Sequence, residues 1–370
     1  MIHKHPQWCT VGFVLFLIGH RIIVTLRRDS LNNKNSDVKN LGNAKSYYHT
    51  QYFLNLGKCT MTNELIRTIH HSASGASIQV SDYGATLISY KSKAEREHIF
   101  VSKLALLDGT APIRGGIPLV FPIFGPPTTV SGSTMPQHGF ARRNVWSMLG
   151  EYDSSVAAGI AYKLDLSQTY AGRGDGNIWT ASEENIVVYD CTLVYNVVFN
   201  DSEMSTILTV RNTGKNAFPF QCLLHTYYKV EGNAAMNPSQ CNVKGLDGYL
   251  CDDKVTKLPI YTHSAEPISI TGEVDRVYTP PSVGGKDFVN ATIGVGNDMV
   301  VTMEAWGKVD NVAVPISCVV WNPYIEKATG LADFDNDEYH DMLCVEPGIL
   351  GNDIVLQPGK EAYLRQVIKV

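Results

Sequence analysis

An all-β fold, a large antiparallel β-sandwich, is what the sequence predicts from about Met61 to Val370. Three observations carry that expectation. Short segments rich in β-branched and aromatic residues alternate apolar with polar, turn residues separate them, and no window of useful length has the period of a helix. Many such strands over about three hundred residues, with no repeat of fixed period, favour a sandwich over a propeller or a solenoid. Sheets of this kind offer a concave face to a ligand.

The first segment differs from the rest. Trp8 to Gly19 is apolar, His20 and Arg21 interrupt it, Ile22 to Leu26 resumes it, and Arg27 and Arg28 close it. A run this short resembles the apolar region of a signal peptide more than a spanning helix, yet no small-residue cleavage site follows. Residues 1–28 are therefore an apolar leader, signal-like or membrane-anchoring, or else an extension upstream of a working start at Met61. If the leader spanned a membrane, Arg21, Arg27 and Arg28 would hold its C-terminal side in the cytosol. Asp29 to Tyr48 is rich in Asn, Lys and Ser and poor in large aliphatics, which predicts a disordered linker over 29–60. The folded domain is expected over 61–370.

Within that domain "ASIQVSDYGATLISYKS", "ENIVVYDCTLVYNVVF", "EMSTILTVRNTG", "DMVVTMEAW" and "VPISCVVW" read in order as strands. Val130 to Thr134 and Gly172 to Asn177 read as loop variation. The composition, 44% hydrophobic and 18% charged over 370 residues, is that of a globular protein able to bury a core. A net charge of -5 and a pI near 6.1 leave no electrostatic footprint for nucleic acid. The eight cysteines, at 9, 59, 191, 222, 241, 251, 318 and 344, have no C-x-x-C spacing. They suit reduced thiols in a cytoplasmic compartment better than a zinc site or a disulfide framework. Sequons at Asn200 and Asn290 matter only if the domain enters the secretory pathway.

Polar residues that break the strand pattern mark the candidate site. In "FPFQCLLHTYYKV" alternation puts Phe218, Phe220, Cys222 and Leu224 on one face and Gln221, Leu223, His225, Tyr227 and Lys229 on the other. An isolated histidine is more often a satisfied core or surface residue than a functional one, so His225 needs context. In "MLCVEPGILG" Glu346 lies between an apolar strand and a Pro347-Gly348 turn, where a carboxylate is rarely placed without a partner or a task. "MPQHGFARRNVW" brings Gln137, His138, Arg142 and Arg143 into a turn-like stretch. Alone this is a solvated basic loop, whereas with Arg114 of "RGGIPLVFPIFG" it makes a two-guanidinium clamp matched to phosphate oxygens.

"RGGIPLVFPIFG", "PQHGFAR", "LHTYYKV", "GEVDRVY", "VVWNPYIEKATGLADF" and "CVEPG" occur in the order found in the glucose-6-phosphate 1-epimerase branch of the aldose 1-epimerase family, and the resemblance covers Met61 to Val370. It implies a galactose-mutarotase-like supersandwich with a sugar on its concave face, and no metal or organic cofactor. It implies His225 and Glu346 as catalytic residues and Arg114, Gln137, His138, Arg142 and Asp275 as substrate-binding ones. Arg143 departs from the Asn of the family pattern. Anomer exchange then needs one base on the C1 hydroxyl, Glu346, and one acid at the ring oxygen, His225. A carboxylate and an imidazolium in one cleft would support each other's charge. Gly115 and Gly116 would let the sugar approach, with the proline-bent run behind them as a rigid wall. A mutarotase of unphosphorylated aldoses such as galactose and a non-catalytic sugar-phosphate-binding regulator are the alternatives. The expected partner is a small hexose 6-phosphate bound by a monomer, with membrane contact left to the leader alone.

Overall fold

Alternation at every second residue builds antiparallel sheets, and among the described residues the two largest, of nine and eight strands, share a core. The computed structural model describes residues 11–18, 21–28, 65–93, 95–126, 135–166, 189–281, 287–351 and 354–370. The predicted linker and the loops at 130–134 and 172–177 lie outside them. Two compact units are present, Met1–Met61 and Thr62–Val370. In the first, Val11–Ile18 and Arg21–Arg28 pair antiparallel, with Val11 opposite Arg28 and Ile18 opposite Arg21. Among the described residues no helix is long and apolar enough to cross a membrane.

In the second unit a nine-stranded sheet runs in the order Val243–Lys244, Phe288–Gly294, Val300–Val309, Glu361–Lys369, Glu203–Asn212, Cys191–Phe199, Ala158–Asp165, Ser147–Asp153, with Val312–Val314 on the third of these. Its strand Cys191–Phe199 alternates strictly: Cys191, Leu193, Tyr195, Val197 and Phe199 are buried while the residues between them are half-buried. That is the signature of a sheet packed on one face. The eight-stranded sheet runs Tyr261–Thr262, Leu250–Asp253, Val274–Thr279, Ser317–Asn322, Met342–Ile349, Cys222–Leu224, Leu119–Val120, with Tyr227–Lys229 also paired to Met342–Ile349.

Its two central strands behave differently, since every residue of Ser317–Asn322 and Met342–Ile349 is buried. Both faces are therefore covered. Cys318, Val320, Leu343 and Val345 join the core between the sheets, whereas Val319, Trp321, Met342 and Cys344 join a second apolar cluster with Phe100, Tyr227, Phe334 and Tyr339. The cover over this second face comes from the segment after Asn322, which forms the short helix Tyr324–Thr329 and the turn Glu338–Asp341. Burying each large side chain there contributes about 1.5–3 kcal/mol. Between the sheets, Gln366 ties the two layers together: its Oε1 accepts from Thr226 Oγ1 at 2.9 Å and its Nε2 donates to the Tyr228 hydroxyl at 3.2 Å. The residue beside His225 is thus anchored to the opposite sheet.

One buried histidine outside the site sets an acid sensitivity. His98 Nε2 lies 2.8 Å from Ser92 Oγ. Burial, with the Arg96 charge nearby, pulls its pKa from 6.5 down to about 4. Between those two values the unfolded chain binds a proton that the native state refuses, so stability falls as pH falls through that window. Urea melts at about pH 7 and about pH 5 are expected to differ by roughly 2 kcal/mol more in the wild type than in His98→Gln. Equal pH dependence in the two proteins would contradict this account.

Candidate active site

The apolar run after Arg114 is built into the backbone that carries His225. Gly116 and Pro118 offer carbonyls to the N–H groups of Tyr227 (3.0 Å) and His225 (3.1 Å), and Leu119–Val120 pairs with Leu223 and Leu224. Gln221 clamps the same run from its other end, donating its N–H to the Pro122 carbonyl at 2.7 Å and accepting from Phe124 N–H at 2.9 Å. The expected role of the two glycines is revised by this packing. A Cβ at Gly115 would lie 2.4 Å from Val101 Cα, and one at Gly116 2.3 Å from the Leu87 carbonyl oxygen. Both have positive φ, +124° and +74°. They are glycine because backbone packs against backbone there.

Alternation along 218–228 holds as the sequence predicts, with Phe218, Phe220, Cys222, Leu224 and Tyr228 in the main core and Leu223 and Tyr227 in the second cluster. Glu346 sits inside the strand Met342–Ile349, opposite Val319. The expected turn at Pro347-Gly348 is not formed: Pro347 pairs with Cys318 and Gly348 with Ser317, so the strand runs on to Ile349.

The two strands bring the histidine and the carboxyl together. His225 Nδ1 is 3.4 Å from Glu346 Oε1, and the residues are 8% and 1% exposed. His225 Nδ1 and Glu346 Oε2 have no hydrogen-bond partner among the described residues. The imidazole stacks on Tyr227 at 4.8 Å and meets His138 and Trp321 edge-on at 5.8 and 6.2 Å. A buried polar atom left without a partner is costly, and in a native protein two of them on neighbouring groups call for an explanation.

Electrostatics push both groups toward neutrality, unlike the carboxylate and imidazolium expected from sequence. Burial, with His138, Arg142 and Arg114 beside it, holds the His225 pKa well below the usual value. Burial, with Asp275 nearby, holds the Glu346 carboxyl well above the usual range, against the pull of Arg142. Desolvation outweighs the pair's mutual attraction. A neutral imidazole beside a protonated carboxyl holds the same number of protons as the charged pair, so only the proton's position differs.

Two guanidiniums flank the pair. Arg114 Nε donates to Asp333 Oδ1 at 3.0 Å. Burial works against its charge, but contacts with Tyr227 and Asp333 outweigh it and hold the group protonated. Arg142 lies in the turn Ala141–Arg143, and its Nη2 donates to the Gln137 carbonyl at 3.0 Å. Its buried Nε has no partner among the described residues. Burial, with Arg143 and Arg114 as like charges, pushes Arg142 down to about 10 against the pull of Tyr227. His138 Nδ1 accepts from Gly125 N–H at 3.1 Å, and burial, with Arg142 and Arg114 near, lowers its pKa to about 3. It is a neutral ring with its hydrogen on Nε2.

The remaining predicted residues are placed less centrally. Gln137 is exposed and holds Arg142 through its backbone carbonyl, and Arg143 is exposed. Asp275 pairs across the sheet with Trp321, which in turn pairs with Cys344, so it stands on the same face as Glu346 two strands away. Its Oδ2 is 3.6 Å from Lys327 Nζ, and burial raises its pKa despite that lysine. Tyr227, Trp321, Lys327 and Asp333 also belong to the site, and Cys344 stands on the same strand face as Glu346. They stand in segments that the sequence brings to notice, but only pairing across the sheet reveals what they face. A hollow of about 440 Å³ lined by Asp287, Phe288, Glu304, Trp306 and Lys308 lies elsewhere and includes none of these residues.

A family model described as Aldose 1-epimerase matches residues 66–369. A Cenchrus ciliaris protein named "Putative glucose-6-phosphate 1-epimerase" is 28% identical over 305 residues, covering 80% of this chain and 82% of its own. An Escherichia coli K12 protein of the same name is 25% identical over 291 residues, covering 78% and 84%. A crystal structure of a "putative mutarotase" from Salmonella typhimurium has a TM-score of 0.63 at 20% identity, over 82% of this chain and 89% of that one, a likeness of fold. The family match begins with the strand Ile66–His70 and ends with Glu361–Lys369, so it takes in the whole sandwich, and the chain belongs to the aldose 1-epimerase family.

Proposed function

We propose that this epimerase exchanges the α and β anomers of a hexose 6-phosphate, glucose 6-phosphate foremost, with Glu346 and His225 as the base and acid. The observation that carries the reading is the buried 3.4 Å meeting of an imidazole and a carboxyl, each with an atom free for another partner, beside two guanidiniums. Glu346 takes the proton of the C1 hydroxyl while His225 gives one to the ring oxygen. The C1–O5 bond breaks, C1 becomes an aldehyde, rotation about C1–C2 presents its other face, and closure reverses both transfers. His225 must hold the shared proton at the start. A phosphate dianion against Arg114 and Arg142 cancels the positive field that adds to burial in keeping His225 neutral, so substrate docking eases protonation of His225.

Arg142, whose Nε has no partner among the described residues, supports the phosphate end of the reading, as do the two relatives named for glucose 6-phosphate. Asp275 and His138 are assigned to sugar hydroxyls. A second reading, an epimerase of unphosphorylated aldoses, has one observation in its favour: Arg114 already has a carboxylate partner in Asp333. Magnetisation-exchange NMR on glucose 6-phosphate, glucose and galactose decides between them. The expected result is exchange well above the spontaneous rate, with kcat/KM highest for glucose 6-phosphate. A preference for galactose would install the second reading, and no acceleration of any sugar would remove both.

A further inference from the structure

We infer that His225, Cys344 and Glu346 form a chelating site for a soft divalent cation of the zinc class, and that its occupancy blocks the reaction site. One ligand atom from each of the three, all buried, lies within 4.8 Å of the other two. The thiol is not part of the proton-transfer scheme. It stands two residues before Glu346 on the same strand and so on the same face. Cys344 is wholly buried, and of the six described cysteines it is the one in this grouping.

A lone thiol would carry nothing; here the neighbours point to a ligand. His225 Nδ1 and Glu346 Oε2 are buried and have no hydrogen-bond partner among the described residues. One cation satisfies both. An imidazole nitrogen, a thiolate and a carboxylate oxygen, with a fourth position left to water, is a donor set that suits Zn²⁺ and its heavier congener Cd²⁺. Tetrahedral Zn²⁺ needs ligand atoms about 3.4–3.6 Å apart. The Nδ1 to Oε1 separation is already 3.4 Å, and the ligand atoms of the three residues all lie within 4.8 Å of one another.

Charge weighs on both sides. Arg114 and Arg142 are close enough to be felt by this trio and oppose a cation. The thiolate and carboxylate bring two negative charges, which cancel those of the metal, and Asp275 adds another nearby. Binding releases the thiol proton, and the carboxyl proton where present, to solvent. The bound ion takes up the lone pairs of His225 and Glu346, so sugar and cation exclude each other.

The test titrates Cd²⁺ into the full chain carrying Cys9→Ser and Cys59→Ser, in the absence of sugar, and follows the ultraviolet thiolate-to-cadmium charge-transfer band. One equivalent is expected to develop the band. Cys344→Ala is expected to abolish it and weaken binding at least about 100-fold, the upper end of the loss caused by removing an outer-sphere partner. Cys344→Ser is the second variant, with circular dichroism to establish that each folds. No band, or a band of equal affinity in both folded variants, would overturn the proposal. Inhibition of anomer exchange by Zn²⁺, relieved by a chelator and absent in Cys344→Ala, is the functional arm. That arm rests on the proposed reaction, whereas the cadmium band does not, so the two failures are distinguishable.

Discussion

Replacing Glu346 by glutamine is expected to slow anomer exchange by about 10²- to 10⁴-fold while leaving the fold intact. Glutamine has the shape of a protonated carboxyl, which is the form that burial favours at this position. Packing against Val319 and His225 therefore survives, and the only loss is a group able to take up a proton. Stability is expected to stay level or rise, because a carboxyl that is 1% exposed, with one oxygen lacking a partner among the described residues, costs folding energy. His225→Ala should fall into the same range, and the double variant should be little worse than either single one, because acid and base serve one concerted opening of the ring. Initial exchange rates by NMR, with melting temperatures measured in parallel, read both quantities. A variant that exchanges anomers at the wild-type rate would end the assignment of Glu346, and an additive double variant would mean that the two residues act in separate steps.

Local pattern made much of this molecule legible before any coordinates. Alternation in "CTLVYNVVF" and "EMSTILTV" predicts strands, and those strands appear as Cys191–Phe199 and Glu203–Asn212. The same rule sorts 218–228 into two faces and so singles out His225. What alternation misses depends on distance along the chain. Arg114 and Asp333 are 219 residues apart, and nothing local to either predicts that they meet. The continuation of the strand through Pro347 was hidden for a related reason. Proline and glycine signal a turn locally, but Pro347 needs only to lack a donor at a position where pairing with Cys318 tolerates it. Charge state is the least local property of all. A carboxylate and an imidazolium attract one another wherever they stand, yet here burial of both groups, with two guanidiniums acting against the imidazolium, decides the matter against the charged pair even though Arg142 favours the carboxylate. Motifs identify which residues converge; burial decides what form they take.

The largest effect on substrate choice is expected from Arg142→Ala. Among the described residues the guanidinium has one direct hydrogen bond, from Nη2 to the Gln137 carbonyl, and its buried Nε has no partner. It is therefore a charge held in place with donor capacity to spare, which is what a phosphate demands. Deleting one partner of a buried, hydrogen-bonded charge pair costs about 2–4 kcal/mol, or roughly 30- to 1,000-fold in kcat/KM for glucose 6-phosphate. Because the phosphate lies at the far end of the sugar from C1, most of that loss should appear in KM, with glucose and galactose turned over as before. Arg114→Ala is the less discriminating choice, since it also strands Asp333 and places an unpaired carboxylate where the phosphate would bind. Should Arg142→Ala lose equally on phosphorylated and free sugars, Arg142 would belong to the reacting end, through its effect on Glu346, and the phosphate would have to be held elsewhere.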